Sequence, residues 1–542
     1  MESLDSYYAV QDAEGEIVAG AGISGDVLKC LAVAESARSE GLLVPLVSRI
    51  ISEHPGRCLK VFTKPKYQAV FESMGFRLLA QAPLAILLEN GHGLEQYCQY
   101  LRGFARDGRC GVVVMNANPF TLGHQYLLQK ASEQVDHLFV IPVKEDLSEF
   151  SYAERRSMII SGVSPVGPAA DEMISSAYAN LTHNITVLEG CDYVISAATF
   201  PTYFLKDLSE AAVTQMKLDL DLFGRWIAPA LGASVRFVGS EPFDALTNQY
   251  NQLIPNRVEI PRLEEISATK VRRALAEGCF KTARVMCPVT TWPYLLGALA
   301  DRALRRELET QHKPGLVCPE SAGAHRDMNY DTMLAGIRAL RPFWPQMALA
   351  ASARELMDLG IEAEKAMLAA TGGVNTHRGA IFCMGLALNA ACGRELQFVD
   401  SEKDMQIHLG QIAEEILRIQ LYDNNLHITP KQVHGARKMA VEGYRQLFED
   451  WLPFYRSGAG ELKTLLRIMS TLDDTCVVKR VGAERALEVK EETKRIMQEM
   501  ADQVGHDGDL IGGLCERYAA EGISPGGAAD MLALTMFIQS IY

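Results

Sequence analysis

The first residues in this chain able to do chemistry stand at the mouth of a helix. The apolar run Gly111–Met115 is followed by Asn116-Ala117-Asn118-Pro119-Phe120-Thr121-Leu122-Gly123-His124, and then by a stretch with helical spacing. A strand, a loop of small hydrogen-bonding side chains and a helix N-terminus together present free N–H groups and a positive dipole end to a phosphate. Gly123 permits close approach, and Asn116, Asn118 and Thr121 offer hydrogen bonds. The imidazole of His124 can stabilise charge developing on a phosphoryl group. Later, Ile266-Ser267-Ala268-Thr269-Lys270-Val271-Arg272 opens another helix. Ser267 and Thr269 can cap it, while Lys270 and Arg272 offer charge to a leaving pyrophosphate. Either segment alone is a common coincidence; together, in this order, they point to phosphate chemistry.

A second constellation is spread over the last part of the chain as four polar islands. The first holds His312-Lys313-Pro314-Gly315-Leu316-Val317 and Gly323-Ala324-His325-Arg326-Asp327-Met328. The second is Thr371-Gly372-Gly373-Val374-Asn375-Thr376-His377-Arg378-Gly379. The third joins Leu472-Asp473-Asp474-Thr475 to Lys479-Arg480, and the fourth is Ile523-Ser524-Pro525-Gly526-Gly527-Ala528-Ala529-Asp530. Paired glycines beside His, Arg and Asp mark helix junctions, which can expose N–H groups to phosphates. Asp327, Asp473, Asp474 and Asp530 are hard oxygen ligands suited to Mg²⁺ on a triphosphate. Lys313, Arg378, Lys479 and Arg480 would balance the remaining charge, with His325 and His377 as further nucleotide contacts. Any one of these aspartates could equally be a helix cap or a surface pair; their clustering argues for a site.

Three kinds of element must position these groups. Residues 1–90 read as a short α+β unit, with strands Tyr7–Val10 and Ile17–Ala21 around the turn Asp12-Ala13-Glu14-Gly15, a helix at Val44–Ile51 and a strand at Leu59–Phe62. Leu94–Phe104 reads as a linking helix. Between 109 and 295, apolar strands at Gly111–Met115, His137–Val143, Ile185–Leu188 and Val235–Val238 alternate with helical stretches such as Gln125–Gln134, the rhythm of a parallel sheet covered on both faces. From Leu296 onward strand signals nearly vanish, and helical periodicity recurs in Ala298–Glu309, Thr332–Leu340, Met347–Leu359, Ile361–Ala370, Glu402–Leu417, Ala436–Phe448, Glu461–Met469, Ala483–Glu499 and Ala528–Ser540. The expected domains are 1–92, 108–296 and 297–542.

Bulk properties narrow the function classes. A chain of 542 residues is too long for one core. The net charge of −14 leaves no electrostatic footprint for nucleic acid or an anionic membrane. The longest apolar run, Ile381–Cys392, is shorter than the roughly 20 residues that span a bilayer, so a buried core helix is expected. No leader peptide is read at the start of the chain. The 12 cysteines form no C-x-x-C pair and fit a reducing cytoplasm.

The first constellation resembles the class I nucleotidyltransferase superfamily, through its G-H and I-S-x-T-x-x-R signatures. More closely, Met115–His124, Phe200–Asp207, Val238–Pro242 and Ile266–Arg272, with Phe62-Thr63-Lys64-Pro65 and Leu88-Glu89-Asn90, resemble the citrate lyase ligase family over roughly residues 5–296. That resemblance implies that acetate and ATP give acetyl-adenylate, which acetylates the prosthetic thiol of the citrate lyase acyl carrier (gamma) subunit. The front unit, with Leu31-Ala32-Val33 and Arg38-Ser39-Glu40-Gly41 before a helix, is similar to part of an N-acetyltransferase fold, truncated at its start. Its functional reading is a docking site for a pantetheine thiol; the alternative is a structural module.

The four islands resemble the triphosphoribosyl-dephospho-coenzyme-A synthase family from about 297 to the end. Cys318 stands where that pattern commonly carries Asp after K-P-G-L-V. The resemblance implies transfer of the triphosphoribosyl part of ATP to a ribose hydroxyl of 3′-dephospho-coenzyme A, with adenine released. Mg²⁺ would hold the triphosphate, and Asp327 or Asp474 could activate the hydroxyl or stabilise an oxocarbenium-like centre. The expected fold is thus multidomain: a partial N-acetyltransferase-like α+β unit, a Rossmann-like α/β nucleotidyltransferase and an all-α domain. Two alternatives stay open: a phosphopantetheine-type adenylyltransferase in the first half, or one half kept as a non-catalytic docking scaffold.

Overall fold

A computed structural model describes residues 4–146, 148–164, 184–196, 199–201, 209–242, 244–393, 397–423, 435–502 and 507–542. The chain forms two compact units, Met1–Ala268 and Thr269–Tyr542.

The first unit contains two sheets. Its front sheet is built from β1 (Ser6–Gln11), β2 (Ile17–Ser24), β3 (Val27–Val33), β4 (Lys60–Thr63), β5 (Arg77–Gln81) and β6 (Ile86–Glu89), in the order β1-β2-β3-β4-β6-β5. The β1–β2 turn forms because Asp12 Oδ1 accepts the N–H groups of Glu14 and Glu16 and Gly15 takes a left-handed φ of 88°. All pairings are antiparallel except β3–β4, which is parallel and spans only Val27↔Lys60 and Leu28↔Val61. Successive residues of β6 serve two cores. Ile86 and Leu88 meet Leu46, Val47 and Ile50 of the helix Leu43–Glu53, while Leu87 joins a core containing Phe139, Ile141 and Leu222. The front sheet therefore shares apolar interior with the rest of its unit.

The second sheet is wholly parallel and comprises β7 (Cys110–Met115), β8 (His137–Pro142), β9 (Ile185–Val187), β10 (Ala233–Gly239) and β11 (Arg257–Ile260), in the order β11-β10-β7-β8-β9. The chain runs outward from β7 to β8 and β9, then returns to the other side of β7. That reversal leaves a crevice at the carboxyl ends of β7 and β10, where open α/β sheets bind ligands. The crevice is bounded by the loop before the helix Leu122–Ser132 and by the segment after β10.

The second unit is helical among its described residues; its main helices are Trp292–Glu309, Tyr330–Leu340, Ala353–Ala370, Arg378–Cys392, Glu402–Asp423, Gly460–Thr471, Thr475–Asp502, Asp507–Glu521 and Gly526–Ile541. Arg378–Cys392 and Gly526–Ile541 are apolar over most of their surface and lie in the core. Where periodicity suggests helices at Met347–Leu359 and Ile361–Ala370, the break falls earlier. Ser352 caps Ala353–Ala370 by accepting the Glu355 N–H, and Gly360 is carried inside that helix. The span from Thr475 is broken at Gly482, where φ is 85° and ψ 165°, so a short helix precedes the expected one that starts at Ala483. β3, β5, β6, β11 and the helix Asp507–Glu521 are not marked by the sequence pattern.

The unit opens with the helix Ala268–Ala276, after which Phe280 packs on Trp292 and Phe398, and Arg284 pairs with Asp400 at 2.6 Å. Leu296 is buried inside the helix Trp292–Glu309. No described helix is long and apolar enough to cross a membrane.

Candidate active sites

In the first unit the loop after β7 is held by one buried cation. Arg155, on the helix Tyr152–Val163, is fully buried and donates to the carbonyls of Asn116, Val143, Glu145 and Phe150 and to Asn116 Oδ1, at 2.6–3.0 Å. It ties the loop after β7 to the loop after β8. Asn118 Oδ1 accepts the Phe150 N–H at 3.2 Å, and Ala117 adopts a left-handed φ of 48° between the two asparagines. Asn116 and Asn118 thus fix the loop's course.

The loop delivers Thr121 as N-cap of Leu122–Ser132. Its hydroxyl accepts the His124 N–H, and its own N–H donates to His124 Nδ1 at 3.0 Å, a reciprocal capping box. Because Nδ1 accepts, the neutral imidazole carries its proton on Nε2. The ring stacks on Phe120 at 5.8 Å. A Cβ on Gly123 would lie 3.5 Å from Ile266 Cγ2, so the two ends of the first motif set meet here.

Ile266 and Ser267 are steered from the segment after β10. Arg262 donates to the Ile266 carbonyl at 3.1 and 3.3 Å, to Glu241 Oε2 at 3.0 Å, and through its N–H to Ser240 Oγ at 2.9 Å. Thr269, Lys270 and Arg272 belong to the second unit, where Arg272 donates to Thr269 Oγ1 at 3.0 Å. Of the Phe200–Asp207 motif, residues from 202 onward lie outside the described residues. Phe200 stacks on Tyr250, whose hydroxyl donates to the fully buried Asp219 at 2.6 Å. Burial pushes the Asp219 carboxyl up, against hydrogen bonds from Tyr250, Thr199 and the Ile195 N–H.

In the second unit three of the four islands meet at His325. Its Nε2 lies 2.8 Å from Ser524 Oγ, Arg480 donates to its Nδ1 at 3.2 Å, and Asp327 Oδ1 is 3.7 Å away. Burial first, then the Arg480 charge, pulls the imidazole pKa down and favours the neutral ring. Lys313 is buried and bound by Glu307, at 2.5 Å to Oε1 and 2.8 Å to the carbonyl. His377 is buried beside that ammonium; its Nδ1 meets Thr376 Oγ1 at 2.8 Å and its Nε2 has no partner. Burial and then Lys313 lower its pKa to about 3.

The carboxylates occupy unlike settings. Asp474 is buried and accepts the N–H groups of Cys476 and Val477 on one oxygen and of Ala528 on the other. It caps Thr475–Asp502 and Gly526–Ile541 together; burial raises its pKa while those N–H groups lower it. Asp473 is exposed and paired with Lys490 at 2.7 Å. Asp530 is half-buried against Gly379, which leaves no room for a Cβ, and accepts the Ala380 N–H. Burial, then the charges of Glu307 and Asp474, push its carboxyl well above the usual range. Arg378 is exposed and held by Glu364, and Lys479 is exposed. Cys318 is buried in a backbone bridge to Ser321, its thiol pushed up by burial.

Among the described residues no three His, Cys, Asp or Glu side chains converge as a metal cage. Mg²⁺ on a nucleotide commonly takes only one or two carboxylates, with phosphates and water completing its shell. Asp327 is exposed, whereas the Asp530 carboxyl is pushed up by burial. Arg155, Arg262 and Glu307 are not marked by sequence reasoning. Each looks like an ordinary helix or loop charge, and only burial or a partner distant in the chain reveals it.

Comparison with known proteins divides the chain. Residues 110–295 match the citrate lyase ligase C-terminal domain, and residues 293–542 match the ATP:dephospho-CoA triphosphoribosyl transferase family. The [citrate [pro-3S]-lyase] ligase of Escherichia coli K12 is 36% identical over 307 residues, 52% of this chain and 83% of its own length. The Haemophilus influenzae ligase is 37% identical over 319 residues, 54% of this chain and 90% of its own. A probable 2-(5″-triphosphoribosyl)-3′-dephosphocoenzyme-A synthase of Azotobacter vinelandii is 35% identical over 266 residues, 45% of this chain and 90% of its own.

Proposed function

The chain belongs to the citrate lyase ligase family over its first half and to the triphosphoribosyl-dephospho-CoA synthase family over its second, and from that premise we propose how its sites work. It is an enzyme of citrate lyase maturation with two activities, ligase and triphosphoribosyl transferase, and ATP is a substrate. In the first activity acetate attacks the α-phosphate, pyrophosphate leaves, and a thiolate then attacks the acetyl-adenylate. No protein nucleophile is needed, so positioning and charge stabilisation suffice.

The observation that carries the ligase reading is the bond from the Thr121 N–H to His124 Nδ1, which fixes the orientation and tautomer of an imidazole in the first turn of a helix. Asn116, Asn118, Thr121, Gly123 and Ser267 shape the surrounding anion site, and Thr269, Lys270 and Arg272 are assigned to the leaving pyrophosphate. The acceptor is the thiol on the citrate lyase acyl carrier subunit. The front sheet is assigned an N-acetyltransferase-like role in docking the pantetheine arm. Its support is the brief pairing of β3 with β4, beyond which facing backbone groups could receive the arm's amides.

In the second activity the 2′-hydroxyl of 3′-dephospho-coenzyme A replaces adenine on the triphosphoribosyl group. Arg378, Lys479 and Arg480 are assigned to the polyphosphate, Lys313, His325 and His377 to the nucleotide, and Asp327 or Asp474 to the attacking hydroxyl. Mg²⁺ supplies counter-charge for the triphosphate when bound, with the exposed Asp327 as its first candidate and Asp473, Asp474 and Asp530 as alternatives. We place the functional boundary near Leu296 and the enzyme in the cytoplasm, which the 12 free cysteines suit.

The test is paired. Pyrophosphate exchange into ATP should depend on acetate, and adenine release should depend on 3′-dephospho-coenzyme A. Exchange driven by a phosphopantetheine compound without acetate would make the first half an adenylyltransferase. Silence of one activity in a folded enzyme would make that half a scaffold.

A further inference from the structure

Tyr444 is fully buried in the helical unit, yet its hydroxyl has no hydrogen-bond partner. Its φ of 51° lies in the left-handed region, which a bulky aromatic residue adopts only under constraint. The constraint is visible in the main chain. Helix Ala436–Val441 closes through Gly443 N–H to the Ala440 carbonyl and Tyr444 N–H to the Met439 carbonyl, with Gly443 at φ 65°. Helix Glu402–Asp423 approaches so closely that a Cβ on Gly443 would strike the Gln406 carbonyl. The backbone thus holds the ring in the interior at the expense of conformational strain.

Around the phenol, Asp530 and Cys383 lie within electrostatic reach. Asp530 is likewise coupled to Glu307, which binds Lys313, and Lys313 acts on His377. His377 lies two residues before Gly379, against which Asp530 packs, and carries a second orphan, its buried Nε2. A buried polar atom left unpaired costs free energy, and native proteins keep few of them. Two here, one on a strained backbone, indicate a partner that arrives from outside the chain. Lys313 and Glu307 cancel one another and His377 is held neutral, so the interior offers hydrogen bonds without surplus positive charge. A polyphosphate would find no counter-charge there, whereas Arg378, Lys479 and Arg480 are exposed.

We propose that Tyr444 is a substrate-contacting residue of the second site, its hydroxyl and His377 Nε2 receiving the uncharged nucleoside end of the nucleotide through ribose hydroxyls and purine ring nitrogens. The assignment rests on the synthase reading of the helical half.

Tyr444→Phe removes only the hydroxyl. Since that hydroxyl has no partner among the protein's own atoms, the melting temperature should stay the same or rise. The kcat/KM for adenine release should fall at least about tenfold, roughly the loss of one hydrogen bond to substrate, while acetate-dependent exchange by the same chain is unchanged. Equal kcat/KM for variant and wild type overturns the proposal. A joint fall in melting temperature and adenine release also overturns it, because the hydroxyl would then have a structural partner. If wild type itself releases no adenine, the synthase reading falls separately. The rise in melting temperature with added ATP then decides Tyr444, and equal rises in the two proteins overturn the assignment.

Discussion

The loop before Leu122–Ser132 and the junctions around His325 both gather polar side chains, but over very different lengths of chain. In the first, the bond that orients His124 reaches only three residues back, to the Thr121 N–H. In the second, His325 meets Arg480 and Ser524 across 155 and 199 residues. A local site carries its geometry in its motif, because strand, loop and capped helix leave few ways to arrange it. A dispersed site needs the whole helical core to be in register before any two of its members touch. The first should tolerate damage elsewhere, and the second should register it.

The sharpest way to break this contrast is to strike the local site. His124→Ala removes the imidazole that the Thr121 N–H orients in the first turn of a helix, and loss of one transition-state donor costs on the order of 10²–10³ in rate. Acetate-dependent pyrophosphate exchange should fall by about that factor, with adenine release from 3′-dephospho-coenzyme A intact. Parallel loss of both activities would show that the two sites are not independent.

The same contrast explains what the sequence makes legible. The β1–β2 turn, the strand–loop–helix at His124 and the helical character of the second half follow from patterns a few residues long. β5 and β6 escape because both faces of β6 are buried, so it lacks the alternation that marks a half-exposed strand. Arg155 escapes because a capped helix beginning at Tyr152 reads as surface charge until its five bonds are traced to two loops. The islands mark Lys313, His325, His377, Asp474 and Asp530 as polar residues in or beside helix junctions. They cannot say that Lys313 pairs with Glu307 or that Asp474 faces two helix ends, because those contacts belong to packing.

Asp473 and Asp474 sharpen the comparison within the dispersed site. The two are adjacent, yet Asp473 points to solvent and Lys490 while Asp474 accepts N–H groups from two helices. A helix cap is typically worth about 1 kcal/mol, so Asp474→Ala should cost the helical unit about 2 kcal/mol and reduce adenine release. Asp473→Ala removes an exposed pair and should change stability by less than about 1 kcal/mol. Urea unfolding and adenine release against magnesium concentration, run on both variants, check this. Equal effects would mean that the double cap contributes nothing beyond a surface ion pair.

At pH 7 the least visible effect concerns charge. Burial, then Lys313, hold the His377 imidazole at a pKa of about 3, whereas the ordinary value is 6.5. Between those values the unfolded chain takes up a proton that the folded one refuses, so stability is lost as pH falls below about 6.5. For one such histidine the slope is about 1.4 kcal/mol per pH unit. His325 adds loss of the same sign, since its pKa is also lowered. The raised carboxyls of Asp474 and Asp530 act oppositely, because the folded protein takes up their protons first as pH falls. The net slope of the wild type therefore mixes several groups, and a difference between variants isolates one. His377→Gln keeps a hydrogen-bonding side chain but cannot titrate. Urea unfolding at pH 7, 6 and 5, followed by fluorescence of the buried Trp344 and Trp451, should show a shallower acid-side loss in the variant by about one proton's slope. Superimposable slopes would mean that His377 takes up its proton in the folded protein, and that the interior around Lys313 and Tyr444 opens to water.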